Sequence, residues 1–261
     1  MQDKNLLLAI DAGNTNTNFA IFKNGTPLAK WRIHTVHHRT ADEYVAILSQ
    51  LLLNEDIKKE RIANIIIASV VPPIMIALNK LCTNYFGVKP LIVGENVKSP
   101  IKIRLDTPTE VGADRIVNAV ASNKLYKKPA IIIDFGTATT FDVVDAGGAY
   151  CGGVIAPGIN LSLSALQEAA SKLPMVWIKK PAKVIGTNTK EAMQSGIYWG
   201  YIGLIEGVVD RIKKEMKTKP VVIATGGLAP MFAESTKVIE KIEPDLTLIG
   251  LNEIFKYQRK K

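Results

Sequence analysis

Two copies of one short pattern combine carboxylate, hydroxyl and amide side chains with glycine, the residue types that bind a phosphate group and its cation. The first copy, DAGNTNTNFAIF, begins at Asp11, and the second, DFGTATTFDVVD, begins at Asp134. In each copy an apolar segment runs into Asp-x-Gly, passes a turn rich in Gly, Thr or Asn, and enters an alternating segment. Such a hairpin can hold a hydrated cation on its Asp, while glycine lets backbone N–H groups approach an anion.

The two copies align residue by residue, with Asp11 on Asp134, Gly13 on Gly136 and Thr17 on Thr140. Either copy alone is also compatible with a plain hairpin. The repetition favours two related halves with one phosphate loop in each. We therefore expect a nucleotide to be held in a cleft between two related domains.

A third glycine-rich turn, ATGGLAPMF, follows the strand-like segment VVIAT. Bare backbone at Gly226 and Gly227 would let a flat adenine or a ribose lie against the chain. A purely structural Gly-Gly turn before a helix explains the same residues, and both interpretations stay open.

The segment VGADR places Asp114 and Arg115 at the start of a predicted helix. An acidic residue in the first turn commonly does no more than complement the helix dipole. In the functional interpretation, the helix-end amides keep Asp114 ionised so that it can accept a proton from a substrate hydroxyl. Arg115 would then offer its planar guanidinium to a substrate carboxylate.

Composition limits the class of protein. The chain has 261 residues, of which 47% are hydrophobic and 22% are charged, which suits one large domain or two smaller ones. The apolar run LLLAI is interrupted by Asp11, unlike a signal peptide, and the longest apolar stretch contains Pro72-Pro73 and is too short to span a bilayer. We expect a cytoplasmic protein without a membrane partner.

The charged and sulfur-containing residues indicate no nucleic-acid partner and no structural metal. The net charge is +9, but no basic face with interleaved aromatic residues is evident, and a basic balance suits anionic small substrates equally well. Cys82 and Cys151 lack metal-ligand spacing, which favours a reduced compartment. The histidines of RIHTVHHRT lack carboxylate or thiolate neighbours, so we expect a solvated loop there.

Strand-like and helical segments alternate along the chain, which predicts α/β architecture. The strand-like segments include LLLAI, NFAIF, AIIID, VVIAT and LTLIG. Thr40 and Glu43 have the spacing of a capping box and predict a helix start. We place the boundary near residue 115, which gives an N-terminal domain over 1–115 and a C-terminal domain over 116–261.

A long helix is predicted from Asn188 to about Lys217, and four glycines recur along one side of it. These are Gly196, Gly200, Gly203 and Gly207. Glycine within a helix costs roughly 1 kcal/mol relative to alanine, so a close approach must offset it. An internal helix contact and a homodimer surface are the two alternatives.

Taken together, these motifs resemble those of type III pantothenate kinases, members of the sugar kinase, Hsp70 and actin superfamily. The resemblance covers nearly the whole chain through DAGNTNT, EVGADRIVNA, DFGTATTFDVV, GGVIAPGI, IGTNTKEAMQSGI and ATGGLA in that order. It implies two ribonuclease H-like (actin-like ATPase) domains, each a mixed sheet flanked by helices. It also implies ATP-dependent phosphorylation of pantothenate, the first step towards coenzyme A. From the glycine stripe of the long helix we predict a homodimer.

The resemblance also implies the site residues. The ATP-binding residues would be Asp11, Ala12, Gly13, Asn14, Thr15, Asn16, Thr17, Asn18 and Thr137. The pantothenate-binding residues would be Gly112, Ala113, Asp114, Arg115 and Thr189. By the same resemblance Asp114 is the catalytic proton acceptor, Asp11 lies near Mg²⁺, and Asp134 binds a monovalent cation, K⁺ or NH₄⁺.

One position departs from the family pattern, since Leu105 stands where many members have Tyr.

The alternative functions are another small-molecule kinase or phosphatase of the superfamily and a non-catalytic regulatory accessory factor.

Overall fold

The protein is described here by a computed structural model that covers residues 5–169 and 173–259. Contacts divide these residues into two units. Unit 1 takes in 5–102, 106–124 and 245–259, and unit 2 takes in 103–105, 125–169 and 173–244. Each unit is built around its own sheet.

The described residues form ten β-strands and seven α-helices. The strands are β1 (Leu6–Ala12), β2 (Asn16–Lys23), β3 (Thr26–His34), β4 (Ile62–Ser69), β5 (Leu91–Ile92), β6 (Ala130–Phe135), β7 (Ala138–Val144), β8 (Tyr150–Pro157), β9 (Val221–Thr225) and β10 (Lys241–Ile242). The helices are α1 (Ala41–Asn54), α2 (Met75–Lys80), α3 (Ala113–Tyr126), α4 (Ile159–Ala169), α5 (Thr189–Met216), α6 (Ala229–Ala233) and α7 (Leu246–Gln258).

The two sheets repeat one topology. In unit 1 the order is β3-β2-β1-β4-β5, and in unit 2 it is β10-β9-β6-β7-β8. In each unit the first three strands in sequence are antiparallel neighbours, and the remaining two add in parallel beside the first strand. Both sheets are therefore mixed, and β6 occupies in unit 2 the place that β1 has in unit 1.

Apolar side chains on the central strands form a core in each unit. In unit 1, alternate residues of β1 pack with Tyr44 and Leu48 of α1. In unit 2, Ile131 and Ile133 of β6 pack with Tyr198 and neighbouring residues of α5. These central strands are buried on both faces, and each runs at its carboxyl end into one of the two glycine-containing turns.

The predicted helix starts agree with the structure. Thr40 caps α1, because its Oγ1 accepts from the Glu43 N–H at 3.3 Å while Glu43 Oε2 accepts from the Thr40 N–H at 2.7 Å. Asn188 caps α5, and that helix ends before Lys217, which has a φ of 51°. The length of α5 thus matches its prediction closely.

One predicted strand is wrong. The segment LTLIG lies at the start of α7, where Leu248, Leu251 and Phe255 are buried at helical spacing. A short, mostly apolar segment of five residues does not distinguish a strand from a buried helical turn. This error also affects the domain description, since α7 contacts β1 and β4 of unit 1.

The observed units differ from the predicted division at residue 115. Unit 1 continues through most of α3 to residue 124, and α7 returns to it after unit 2. The contact between α7 and α3 is close, because a Cβ on Gly250 would lie 2.0 Å from the Val117 carbonyl oxygen. Thr247 Oγ1 also donates to Asn118 Oδ1 at 2.9 Å.

Within the described residues, no helix is long and apolar enough to cross a membrane.

Candidate functional site

The first candidate loop is a tight turn at the carboxyl end of β1. The Gly13 N–H donates to the Asn16 carbonyl at 3.0 Å, and Asp11 pairs with Asn18 across the hairpin. Asn18 Nδ2 donates to Asp11 Oδ2 at 2.9 Å, which orients the carboxylate. Asn14 and Thr15 are exposed at the tip, so the turn presents polar groups to a ligand.

Thr17 and Thr35 support this loop from beneath. Thr35 Oγ1 donates to the Gly13 carbonyl at 2.7 Å, so the 2.8 Å contact between the two hydroxyls is made by the Thr17 proton. Thr17 is fully buried, and its hydroxyl proton is therefore committed within the protein. Sequence reasoning missed Thr35, because it lies in RIHTVHHRT with no phosphate-loop signal of its own.

The substrate segment predicted from VGADR lies at the start of α3. The Arg115 and Ile116 N–H groups both donate to the Gly112 carbonyl, at 3.1 and 3.3 Å. Asp114 folds back over Gly112, since a Cβ there would lie 2.5 Å from Asp114 Oδ1. The Arg115 N–H donates to the same oxygen at 2.8 Å. Glycine at 112 thus allows Asp114 to take this position.

Unit 1 brings Asp11 and Asp114 together. The pKa of Asp11 is raised to about 6, chiefly by burial and to a smaller extent by the negative charge of Asp114, against the lowering effect of the Asn18 hydrogen bond. Desolvation and a neighbouring carboxylate both disfavour the ionised form. A cation between these carboxylates would relieve both effects.

The residues around Asp11 suit a metal ion that keeps most of its ligands from water and phosphate. Among residues 5–169 and 173–259, no group of three or more His, Cys, Asp or Glu side chains could hold a metal ion. Mg²⁺ commonly binds through one or two carboxylates together with substrate phosphates. Asp11 and the adjoining turn offer that kind of incomplete site.

The second candidate loop lies between β6 and β7 in unit 2. Asp134 pairs with Thr140 in the hairpin, and the Gly136 N–H donates to the Ala138 carbonyl at 3.1 Å. Gly136 and Thr137 are exposed. A Cβ on Gly158 would lie 2.3 Å from the Thr137 carbonyl oxygen, so the start of α4 packs directly against the loop.

A buried carboxylate that the sequence analysis did not single out lies behind this loop. Asp142 is fully buried; Thr140 Oγ1 donates to it at 2.9 Å and the Tyr150 hydroxyl at 3.0 Å. Because the Thr140 hydroxyl donates its hydrogen bond to Asp142, the lone pairs of its oxygen can only accept a further hydrogen bond or bind a cation. The segment FDVVD contains Asp142, but a strand residue without a turn gave no signal of this role.

The third glycine turn lies beside the second loop. Gly226 has a φ of 89°, and a Cβ there would lie 2.6 Å from the Phe135 carbonyl oxygen. Neighbouring Gly227 is exposed, with no atom of the described chain within 4 Å of a Cβ built on it. Gly226 therefore has a structural role, and Gly227 supplies the open backbone.

Thr189 and the glycine stripe both lie on α5. Thr189 is exposed at the first position of the helix. Cβ atoms on Gly196, Gly200 and Gly203 would meet no atom of the described chain within 4 Å. A Cβ on Gly207 would meet only the flexible Arg211 side chain, at 3.0 Å. No internal helix contact within the described residues accounts for the stripe.

The predicted residues thus fall into two groups. Unit 1 holds the 11–18 loop and the 112–115 segment, and it brings Asp11 near Asp114. Unit 2 holds Asp134, Thr137 and Thr189, together with the third glycine turn. Leu105 also belongs to unit 2, where its Cδ2 would lie 3.3 Å from a Cβ on Gly152.

Comparison with known proteins gives a family match and full-length relatives. Residues 7–211 match the family model described as type III pantothenate kinase. The chain is 59% identical over 250 residues to the type III pantothenate kinase of Paramagnetospirillum magneticum, covering 95% of this chain and 96% of that protein. It is 52% identical over 253 residues to the type III pantothenate kinase of Caulobacter vibrioides, covering 96% and 97%.

Solved structures support the fold. Component A of (R)-2-hydroxyglutaryl-CoA dehydratase from Acidaminococcus fermentans superposes with a TM-score of 0.57 at 15% identity and covers 98% of each chain. At this identity the likeness concerns the fold alone. Together with the repeated mixed sheets, it confirms the predicted fold class of two ribonuclease H-like domains flanked by helices.

Proposed function

Because the chain belongs to the type III pantothenate kinase family, we propose that it transfers the γ-phosphoryl group of ATP to the primary hydroxyl of pantothenate. The product is 4′-phosphopantothenate, on the route to coenzyme A. ATP and a divalent metal ion are the requirements of such a kinase. The residue roles are based mainly on Asp11 and Asp114, two carboxylates of unit 1 that interact electrostatically.

Asp114 is the proton acceptor of the proposed reaction. Its Oδ1 accepts from the Arg115 N–H, and its place in the first turn of α3 favours the ionised form. An ionised carboxylate can take the proton of an attacking hydroxyl. Phosphoryl transfer otherwise asks the protein for positioning and charge compensation.

The loop over 11–18 binds the phosphates of ATP. Mg²⁺, held by Asp11 and those phosphates, would neutralise the charge that develops on the transferred group. The exposed tip residues Asn14 and Thr15 donate to phosphate oxygens, and Thr17 keeps the loop in shape through Thr35. Thr137 makes a further ATP contact from the second loop.

Arg115 binds the carboxylate of pantothenate, together with the backbone of Gly112 and Ala113. A guanidinium suits this task because its planar donors match the two oxygens of a carboxylate. Thr189, at the exposed start of α5, is a further residue that we assign to pantothenate binding.

Asp134 holds a monovalent cation, K⁺ or NH₄⁺. The donor set fits such an ion, since Thr140 lies opposite Asp134 in the hairpin and has its proton committed to Asp142. A carboxylate and a hydroxyl oxygen then face the same side of the sheet. The cation would offset negative charge near the nucleotide.

The protein acts as a homodimer in this proposal, and the glycine stripe of α5 is the seam. Three of its glycines are exposed, and a Cβ there would meet nothing in the described chain. At a two-fold axis, the glycine stripe of one subunit would pack against the same stripe of its partner. Dimerisation would also help to set Thr189, which begins the same helix.

An assay of ADP release tests the proposed function. With ATP and Mg²⁺, ADP should form only when pantothenate is added, and sugars should not replace it. ADP release that is independent of any acceptor would indicate a phosphatase or ATPase instead. Absence of turnover with every acceptor would favour the regulatory accessory factor.

A further inference from the structure

A pocket of about 430 Å³ lies in unit 1, away from the candidate site. Its walls come from the start of β1, the β2–β3 turn, β4 and the end of α7. Leu7 lines it, whereas Asp11 lies four residues along the same strand, roughly 13 Å away at the rise of a β-strand. The volume is within the range of small-molecule sites.

The lining of this pocket combines amides with an apolar floor. Four asparagines contribute to it, namely Asn5, Asn24, Asn64 and Asn252. Asn252 is buried, and its Nδ2 donates to the Gly25 carbonyl at 3.3 Å, which holds the amide in place. Phe22 and Phe255 are buried beneath. Side-chain amides both donate and accept, so they suit a polar organic molecule.

The rim of the pocket has an excess of positive charge. Glu253 is shared by two ammonium groups, Lys256 at 2.7 Å and Lys124 at 3.5 Å. Arg259 forms no ion pair with any residue in the described part of the chain. Its guanidinium lies 5.9 Å from the centre of the Phe255 ring. In this position the exposed guanidinium can offer its planar donors to a phosphate or carboxylate.

The β2–β3 turn is shaped to admit Lys256. Gly25 has a φ of 88°, and a Cβ there would lie 2.6 Å from Lys256 Cε and 2.7 Å from Nζ. Any larger residue would displace the lysine from the pocket. The β2–β3 turn and the end of α7 therefore pack against each other, and the Lys256 ammonium group lies in the pocket near the Asn252 amide.

We propose that this pocket binds a small organic anion, with its phosphate or carboxylate on Arg259 and Lys256 and its polar body among the asparagines. The proposal is independent of the kinase reaction, because none of these residues belongs to the candidate site. Phosphate and carboxylate share the chemistry that the rim recognises, and one probe of each kind distinguishes them.

Binding can be observed by NMR on the ¹⁵N-labelled full-length protein. The side-chain amide of Asn252 reports this pocket, and that of Asn18 reports the phosphate loop. The anionic probes are glycerol 3-phosphate and N-acetylglycine, and their neutral counterparts are glycerol and N-acetylglycinamide. Either anion, or both, should shift the Asn252 resonance saturably, and the neutral molecules should not.

Arg259→Gln should weaken this binding roughly 10- to 100-fold, as expected for loss of a charge-assisted hydrogen bond. Arg32→Gln, an exposed arginine on β3 of the same unit, is the matched control and should bind as the wild type does. A response of Asn18 alone, equal binding by Arg259→Gln, or an equal response to the neutral probes would each overturn the proposal.

Discussion

Asp114 carries the chemical step in the proposed mechanism, and its position depends on Gly112 and the Arg115 N–H. Asp114→Asn keeps the shape of the side chain but removes its basicity. We expect kcat to fall about 10²- to 10⁴-fold, with little change in pantothenate affinity. Steady-state kinetics and pantothenate titration measure the two quantities separately.

The matched control for this variant is Asp106→Asn, which changes an exposed carboxylate in the loop before α3. It should retain the wild-type kcat. Normal turnover by Asp114→Asn would remove Asp114 from the role of base.

Asp11 predicts the acid limb of the pH profile. Its pKa is raised to about 6 in the folded protein, so it becomes protonated as the pH falls through 6 and loses its ability to bind a metal ion. We expect kcat/KM for ATP, which reports the free enzyme, to fall about tenfold per pH unit below this point. A flat profile down to pH 5 would contradict the assignment.

The raised pKa of Asp11 also affects the free energy of unfolding. The folded pKa lies above the unfolded value, so the folded state binds more protons between about pH 4 and 6, and stability falls as the pH rises through that window. Asp11→Asn should therefore be more stable than the wild type at pH 7.5 without nucleotide. About 1–2 kcal/mol is expected after discounting for partial solvation. Urea unfolding at pH 4 and 7.5 measures this, and the gain should shrink at pH 4.

The cation role of Asp134 predicts a dependence on K⁺ or NH₄⁺. Na⁺ should support activity poorly, because the smaller ion fits the same oxygen ligands less well. Asp134→Ala should abolish the difference between potassium and sodium buffers of matched ionic strength. Equal wild-type rates in both buffers, with the variant unaffected, would exclude the cation from the mechanism.

The residues that contact ligands in the proposal were predictable, whereas those that hold them were not. Asp11 and Asp134 lie near the carboxyl ends of strands and Asp114 lies in the first turn of a helix, each within two residues of a glycine, and these patterns are visible in the sequence. Thr35 and Asp142 act through contacts made only after folding, with Thr17 and Tyr150 respectively. Neither lies in a turn or at a helix start that would have marked it.

Among the elements, α5 provides the sharpest test of the dimer. Gly200→Leu introduces a side chain that meets nothing in the described chain, so the subunit itself should fold and gain helix propensity. At a two-fold seam the same side chain would overpack the contact. We expect a shift from dimer to monomer in sedimentation or light scattering, together with weaker pantothenate binding.

Glu215→Leu is the matched control, since Glu215 is exposed on the same helix but off the stripe. It should leave the dimer intact. A wild-type protein that is monomeric at micromolar concentration and fully active would refute the dimer proposal.

The two helices with capping signals and most of the apolar strands were predicted correctly, and the segment LTLIG was not. The capping groups of α1 and α5 lie within three residues of the helix start, so local sequence specifies them. LTLIG follows Asp245, which stands at the N-cap of α7 without a side-chain cap hydrogen bond, and the helix packs against β1, β4 and α3.

At the scale of the whole molecule, α7 completes a unit whose other parts precede it by more than a hundred residues in sequence. Gly250→Ala should destabilise this unit, because the new Cβ would lie 2.0 Å from the Val117 carbonyl oxygen. Overpacking of this kind costs about 1–3 kcal/mol. Hydrogen exchange should show lost protection in β1, β4 and α3, with β6, β7 and β9 unchanged.

Gly227→Ala is the control in unit 2, since its Cβ would meet no atom of the described chain within 4 Å. It should leave exchange in both sheets as in the wild type. Loss of protection in β6 and β9 on changing Gly250 would mean that the two units do not unfold separately.

The return of α7 to unit 1 also sets an order for folding during translation. The strands of unit 2 are all synthesised before Leu246 leaves the ribosome, so that sheet can be complete while β1 and β4 still lack their helical cover. Until α7 arrives, an apolar face of the first sheet remains open to water and to chaperones. Unit 1 is therefore most exposed to aggregation in the interval between the synthesis of β4 and that of α7, and slow translation of the intervening segment would prolong that interval.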